Sequence, residues 1–499
     1  MTANLADLAM APLTFIRLLK LPTILRNRHV EEFILSRWRL LIPAGAALAG
    51  MIGLGYWFRA NPDRFQSILR VPGADHGPAG ETSGQVNPVL AGKLLKGPGQ
   101  SSNFPGDWPR FRGDANDGIS RGATRLVREW HESEPRKLWS VELGEGYAGA
   151  AIRNGKVYVM DYDQDKKQDA LRCLALADGS ELWRFAYPVS IKRNHGMSRT
   201  VPAVSDKFVV AMGPKCHLLC ADAATGELRW GLNLVQQFGA TIPPWYAGQC
   251  PLIEEGLVII APGGRDALLA ALAVDTGKPV WQTPNPRQWK MTHSSIMPMQ
   301  FEEQRMYVYC ANNGVVGVSA TNGAILWESS DWKISIATVP SPLILPGGRI
   351  FLSGGYNAGS MLFQVKKEAG HFSLQTVLKL PAEVFGATQH TPIFLDEHIY
   401  GVRADGKFVC LDLLGKVVWT SDSGQPFGLG AFLVADGLIF AMNDSGLLRL
   451  IEARPDKYNL LTKAQVLKGR ESWGPLALAG GRLIARDFTS MVCLQVGHE

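Results

Sequence analysis

The sequence predicts an all-β fold, an eight-bladed propeller of four-stranded antiparallel blades closed by an N-terminal strand and preceded by one transmembrane helix. Three observations predict it. A short strand ending in tryptophan recurs after a turn glycine: DGSELW at Asp178–Trp183, TGELRW at Thr225–Trp230, TGKPVW at Thr276–Trp281, NGAILW at Asn322–Trp327 and LGKVVW at Leu414–Trp419. Trp183, Trp230, Trp281 and Trp327 are 47, 51 and 46 residues apart, a period that fits four strands per repeat. The two ends of the repeat region complement one another. After Lys468 only three strands fit before the last residue, whereas the strand around Trp139 stands alone one period ahead of Trp183.

Bulk composition is compatible with this. A chain of 499 residues with 46% hydrophobic content, 53 glycines and 30 prolines is long enough for a large repeat architecture and glycine-rich for a helical one. The net charge of +6 arises partly from the N-terminal segment and forms no basic stripe, so no nucleic-acid partner is expected. Seven cysteines at 173, 216, 220, 250, 310, 410 and 493 show no C-x-x-C pair and read as small core residues.

The N-terminal region divides into three parts. Residues 40–58, LLIPAGAALAGMIGLGYWF, carry no charge and approach the length a helix needs to cross a bilayer, with an aromatic end suited to the interface. Lys20, Arg26, Arg28, Arg37 and Arg39 precede this run, and Arg59, Arg64 and Arg70 come after it. The bias places residues 1–39 in the cytoplasm and the C-terminal mass beyond the membrane, as an uncleaved signal anchor of a single-pass inner-membrane protein. Residues 59–106, rich in Gly, Pro and Ser, read as a flexible linker, and residues 107–499 as the propeller.

Within the repeat, eight landmarks stand at 139, 183, 230, 281, 327, 379, 419 and 468, with lysines at 379 and 468 in the tryptophan place. Trp139, Trp183, Trp230, Trp281, Trp327 and Trp419 are the residues expected to dock neighbouring blades. Closing the last blade with the strand at Lys137–Leu143 removes the exposed edges that an open array would present.

The A-x-D-x-x-T-G-x-x-x-W endings, best seen in ADAATGELRW at Ala221–Trp230, resemble the repeats of the pyrroloquinoline quinone-like propeller family. That family includes quinoprotein dehydrogenases and the propeller subunit of the outer-membrane protein assembly machinery, and the resemblance spans about Trp108 to Val496. DWPRFRGDANDGIS at Asp107–Ser120 resembles the lead-in of membrane-anchored or secreted bacterial members. The resemblance implies a propeller in the periplasm and leaves two functions open. One is a scaffold for envelope or inner-membrane proteins, or a subunit of an envelope complex, without cofactor. The other is a quinoprotein-like alcohol or sugar dehydrogenase holding pyrroloquinoline quinone with Ca²⁺ in its funnel.

The enzyme's parts are sparse. No two cysteines are adjacent, no acidic loop supplies several oxygens for calcium, and there is no C-x-x-C-H for a haem, so no catalytic residue and no metal ligand is assigned. Candidate ligand-binding residues lie just ahead of the first strand of each repeat, at the funnel end of a blade. These are His195 and Arg199 in KRNHGMSRT, Tyr246 in PPWYAGQC, His293 in MTHSSI, His390 in ATQHTP and Trp473 in ESWGP. Imidazoles and a guanidinium in homologous slots would converge on the axis, where they could receive an anion or simply bond the water of a polar channel.

Overall fold

The computed structural model describes residues 28–60 and 87–498, apart from 102, 131–133, 194, 423 and 425, with helix side chains given from 41 to 57 and at 59. Most of the expected cytoplasmic segment, 1–27, and the linker from 61 to 86 lie outside these residues.

The chain divides into two units, residues 1–69 and 70–499. In the N-terminal unit, Arg28–Ala60 forms a helix that contains the whole uncharged run and tolerates Pro43 in its interior. Every described side chain from Leu41 to Trp57 is exposed, Leu41 at 61% and Met51 at 63%. Among the described residues no helix is long and apolar enough to cross a membrane.

The second unit is an eight-bladed propeller of antiparallel blades. The innermost strands, in order, are Ala151–Arg153, Ala203–Val204, Leu252–Glu254, Met297–Phe301, Leu343–Leu345, Ile393–Leu395, Phe432–Ala435 and Ala477–Ala479. The last of these touches the first, so the ring is closed. Closure is made as expected: Lys137–Glu142 pairs antiparallel with Ser490–Gln495 and becomes the outer strand of blade 8.

The tryptophans sit where one geometric event repeats. In every blade the pairing of the outer strand slips by one residue at a β-bulge, and Trp139, Trp183, Trp230, Trp281, Trp327 and Trp419 mark the register at the slip. The bulge bends the strand and aims the indole at the next blade. There Trp139, Trp230, Trp281 and Trp419 donate Nε1–H to the carbonyls of Leu176, Val274, Ala320 and Arg454 at 2.8 to 3.1 Å. The receiving turn needs glycine: Gly277 has φ 69°, and a Cβ there would lie 2.6 Å from the Trp230 ring. Trp183 makes the same ring contact with Gly226, but the Tyr158 hydroxyl already occupies the Ala223 carbonyl, and the indole N–H is left without a partner.

Two landmarks need correction. At the slip in blades 5 and 7 stand Leu378 and Thr462, whereas Lys379 is one residue on and Lys468 lies beyond the strand Leu460–Gln465. Spacing alone cannot see a bulge, and the missing indole removes the marker.

The linker also needs correction. Within residues 59–106, Lys93–Lys96 adds a fifth strand to the outer edge of blade 1, antiparallel to Glu181–Pro188. Ahead of it Pro88–Ala91 forms a short 3₁₀ turn whose Val89 is fully buried against Gly231. A short strand pairing and one anchoring valine suffice for this, too little to register as periodicity.

Candidate functional site

The loops ahead of the inner strands are tied together by a belt of hydrogen bonds. The Thr391 hydroxyl accepts from Ser341 N–H at 2.8 Å, Ser341 Oγ from Ser295 N–H at 2.9 Å, Ser295 Oγ from Cys250 N–H at 3.0 Å, and Cys250 Sγ from Val201 N–H at 3.2 Å. Each link joins one blade to the next, and all five residues are buried. The belt holds the loops in register around the axis, and the side chains just before it point into a cavity of about 290 Å³.

The floor of this cavity comes from outside the repeats. The lead-in runs through the channel: Trp108 exchanges two backbone hydrogen bonds with Ile152 of blade 1, and the Pro109 carbonyl accepts from Val204 of blade 2. Arg110 donates to the Ile253 carbonyl of blade 3, and Ile119–Ser120 pairs in parallel with the inner strand of blade 7. Arg112, buried and at φ 64°, donates to the carbonyls of Thr391 and Pro392 in blade 6 and of Asn116 and Asp117 in its own loop. Burial among neutral acceptors pushes its guanidinium down to about 10. Trp108, Phe111, Arg112 and Gly118 thereby line the cavity.

Five of the six candidate residues line the same cavity: His195, Arg199, His293, His390 and Trp473. Tyr246 is placed elsewhere. Its ring is fully buried, its hydroxyl bonds the backbone of Lys192, and its carbonyl lies 2.9 Å from His293 Nε2, so it orients a lining residue without being one. Because a carbonyl only accepts, Nε2 of His293 carries the proton. Burial, then the nearby Arg199 charge, pushes the His293 imidazole down to about 4. Burial does the same to His390, against the opposing pull of the Gly430 and Leu429 backbone and the Asp444 charge. Its two ring nitrogens are buried beside these groups, without a hydrogen bond of regular geometry, in a residue only 7% exposed.

Aromatic rings form much of the wall. Tyr147 stacks on Trp473 with centroids 5.1 Å apart and donates its hydroxyl to Glu471 at 2.7 Å, while Trp473 Nε1–H reaches Asp444 at 2.7 Å. The Arg199 guanidinium lies 5.7 Å from the Tyr147 ring centre, and the His195 ring stands edge-on to Trp245. None of the lining residues is acidic.

Sequence reasoning missed the floor and the belt. The floor residues lie in a segment without periodicity. The belt left a usable signal, since Val201, Cys250, Ser341 and Thr391 each precede a proline at the start of a repeat.

A family model described as "Outer membrane protein assembly factor BamB" matches residues 166–421, slightly more than half of the chain. The chain belongs to that family. A curated relative of the same description from Moranella endobia (strain PCIT) is 21% identical over 336 residues, 64% of this chain and 70% of its own length. Among solved structures, BamB from Moraxella catarrhalis is 14% identical with a TM-score of 0.49, covering 72% of this chain and 100% of its own. Quinohemoprotein alcohol dehydrogenase from Comamonas testosteroni is 13% identical with a TM-score of 0.43, covering 80% and 82%.

The donor set bears on the quinone-with-calcium alternative. Among the described residues no group of three or more His, Cys, Asp or Glu side chains is placed to hold a metal ion, and the cavity lining lacks a carboxylate. A calcium ion does not fit these residues.

Proposed function

We propose that this BamB-family chain is an envelope propeller that works by binding other proteins, as a scaffold or as a subunit of a membrane complex. The observation that carries the reading is the match of residues 166–421 to a family named for outer-membrane protein assembly. The uncharged run within Arg28–Ala60, with its exposed apolar side chains and basic N-terminal flank, supports a tether in the inner membrane, the N-terminus cytoplasmic and the propeller periplasmic. A tethered ring samples a thin layer beside the bilayer, which raises its effective concentration toward other envelope proteins.

The full chain is expected to stay with inner membranes after alkaline carbonate extraction and to co-purify with envelope proteins from detergent extracts. Recovery without any envelope protein would overturn the scaffold reading, and release by carbonate would overturn the tether. Saturable binding of pyrroloquinoline quinone with turnover of alcohols or sugars would replace the scaffold with the dehydrogenase.

A further inference from the structure

One blade of this ring already carries an added strand. Lys93–Lys96 pairs antiparallel with the outer strand of blade 1, and the chain that follows donates the N–H groups of Gly97 and Gly99 to the carbonyls of Leu182 and Glu181 at 2.9 Å. Leu182 is the extra residue of the bulge, so the added chain closes on the place where the pairing slips. Leu94 reaches the turn of the next blade at Gly226, beside Trp183, and Lys96 Nζ donates to the Thr225 carbonyl of that turn. An added strand thus uses an open edge, a bulge and the neighbouring turn.

Blade 5 presents the same three features. Its outer strand, His371–Leu380, is 10 residues long, against 8 in blade 1 and 4 in blades 3 and 6. The first half packs Phe372 and Leu374 toward blade 4, and among the described residues no strand pairs with its outer edge. The bulge residue is Val377, 55% exposed. In the next turn Leu378 and Leu380 lie over Gly415, the place a tryptophan holds at the junctions described above. The residue before the turn glycine is Asp178, Thr225, Thr276 and Asn322 in blades 1 to 4, but Leu414 in blade 6, and it is 84% exposed. A polar place in the repeat is apolar at this junction, next to an apolar bulge.

Charge selects the occupant. Lys379, two residues past Val377, and Lys416, two past Leu414, are exposed and form no ion pair among the described residues. The carboxylate of the same turn, Asp412, accepts from the Leu414 and Lys416 N–H groups at 2.9 and 2.8 Å and is spent on the turn. Lysines at a sheet edge turn away indiscriminate pairing and admit a strand that carries carboxylates. The chain's own KLLK strand would set lysine against lysine, so a second copy's Lys93–Lys96 is disfavoured here.

We propose that the outer edge of blade 5 receives an extended segment of a partner protein, apolar at its centre and flanked by carboxylates, added as Lys93–Lys96 is added to blade 1. Main-chain bonds along the edge hold the segment, its apolar side chains cover Val377 and Leu414, and its carboxylates meet Lys379 and Lys416. The proposal rests on the partner-binding reading of the propeller and names the surface and the chemistry of the contact.

The test uses the full chain in detergent and three short capped peptides on one Ser/Thr frame. Their centres are Glu-Leu-Val-Glu, Lys-Leu-Val-Lys, and Glu-Leu-Val-Glu with its four central amides N-methylated. Fluorescence anisotropy is expected to show saturable binding of the acidic peptide, with hydrogen exchange slowed in His371–Leu380. The lysine and methylated peptides should each bind at least about tenfold more weakly, each tenfold step being ~1.4 kcal/mol. Leu414→Asp should weaken the acidic peptide by about tenfold, and Lys379→Glu with Lys416→Glu should reverse the preference between acidic and basic peptides. Equal binding of the methylated peptide overturns strand addition, and equal binding of the lysine peptide overturns the charge selection. Unaltered binding by the Leu414→Asp protein, or protection elsewhere, overturns the place, and no binding of any peptide at millimolar concentration overturns the site. If the double lysine variant melts early, Leu414→Asp, at a side chain almost wholly in solvent, still decides. Envelope proteins retained while no peptide binds would sink this inference alone, and peptide binding by a chain that retains no envelope protein would sink only the scaffold.

Discussion

Opposite each docking tryptophan, across the bulge, stands a residue with little side chain. Cys173, Cys220, Ala271, Gly317, Cys410 and Cys493 face Trp183, Trp230, Trp281, Trp327, Trp419 and Trp139. At Gly317 a Cβ would lie 2.2 Å from the Trp327 ring, which shows how little room the indole leaves. Four of the seven cysteines are thus explained by volume, and all seven are free and buried. Cys220 also touches the Val274 carbonyl that Trp230 uses, so its size matters on both sides. Cys220→Ala is expected to cost about 1 kcal/mol, and Cys220→Leu about 1–3 kcal/mol more because it displaces the indole from the next blade. Urea unfolding read by tryptophan fluorescence checks both. A leucine variant as stable as the alanine one would show that the seat is not tight.

At the scale of elements the lead-in differs most from the linker-like look of its sequence. Arg112 alone satisfies four carbonyls, two in the inner loop of blade 6 and two in its own turn. A lysine carries the same charge on one nitrogen and cannot fork across that set. Arg112→Lys is therefore expected to leave buried acceptors unpaired and to destabilise the ring by about 2–3 kcal/mol, with hydrogen exchange rising at the inner strands of blades 6 and 7. Unchanged exchange there would mean that the segment is an ornament on a self-sufficient ring. The repeat strands were readable from sequence because each presents alternation, a turn glycine and an indole within a few residues. The lead-in and the strand Lys93–Lys96 were not, because each borrows its pairing from a distant edge and needs only a few contacts to hold it. The site divides the same way. Histidines and Arg199 fell in repeated slots and could be found by spacing, whereas Tyr246 occupies such a slot yet turns its side chain inward, at φ 66°, a backbone choice that spacing does not reveal.

For the whole molecule, buried titrating groups set an acid limit. His217, His293 and His390 are each pushed down to about 4 by burial, against about 6.5 in an unfolded chain. Between those values the unfolded chain binds protons that the folded one refuses, so their contribution is present above about pH 6.5 and lost as pH falls toward 4. Asp169 works the other way. It is fully buried against Tyr187, and burial pushes its carboxyl up to about 7 from about 3.9 unfolded, so its contribution is present below the unfolded value and lost as pH rises through 7. Three groups oppose one across the acid window. The net difference of about two protons gives a steep slope, on the order of 2–3 kcal/mol per pH unit near pH 5, and above about pH 7 the opposing contributions to the slope nearly cancel and stability levels off. Asp169→Asn removes the one opposing proton and should steepen the acid limb by about half. His390→Gln takes away one of the net two protons and should reduce the acid slope by about half. Urea midpoints taken across this range for the three proteins decide the matter. An acid limb that is unchanged in the His390→Gln protein would mean that the imidazole is already protonated in the folded chain, held so by the Gly430 and Leu429 backbone and the Asp444 charge.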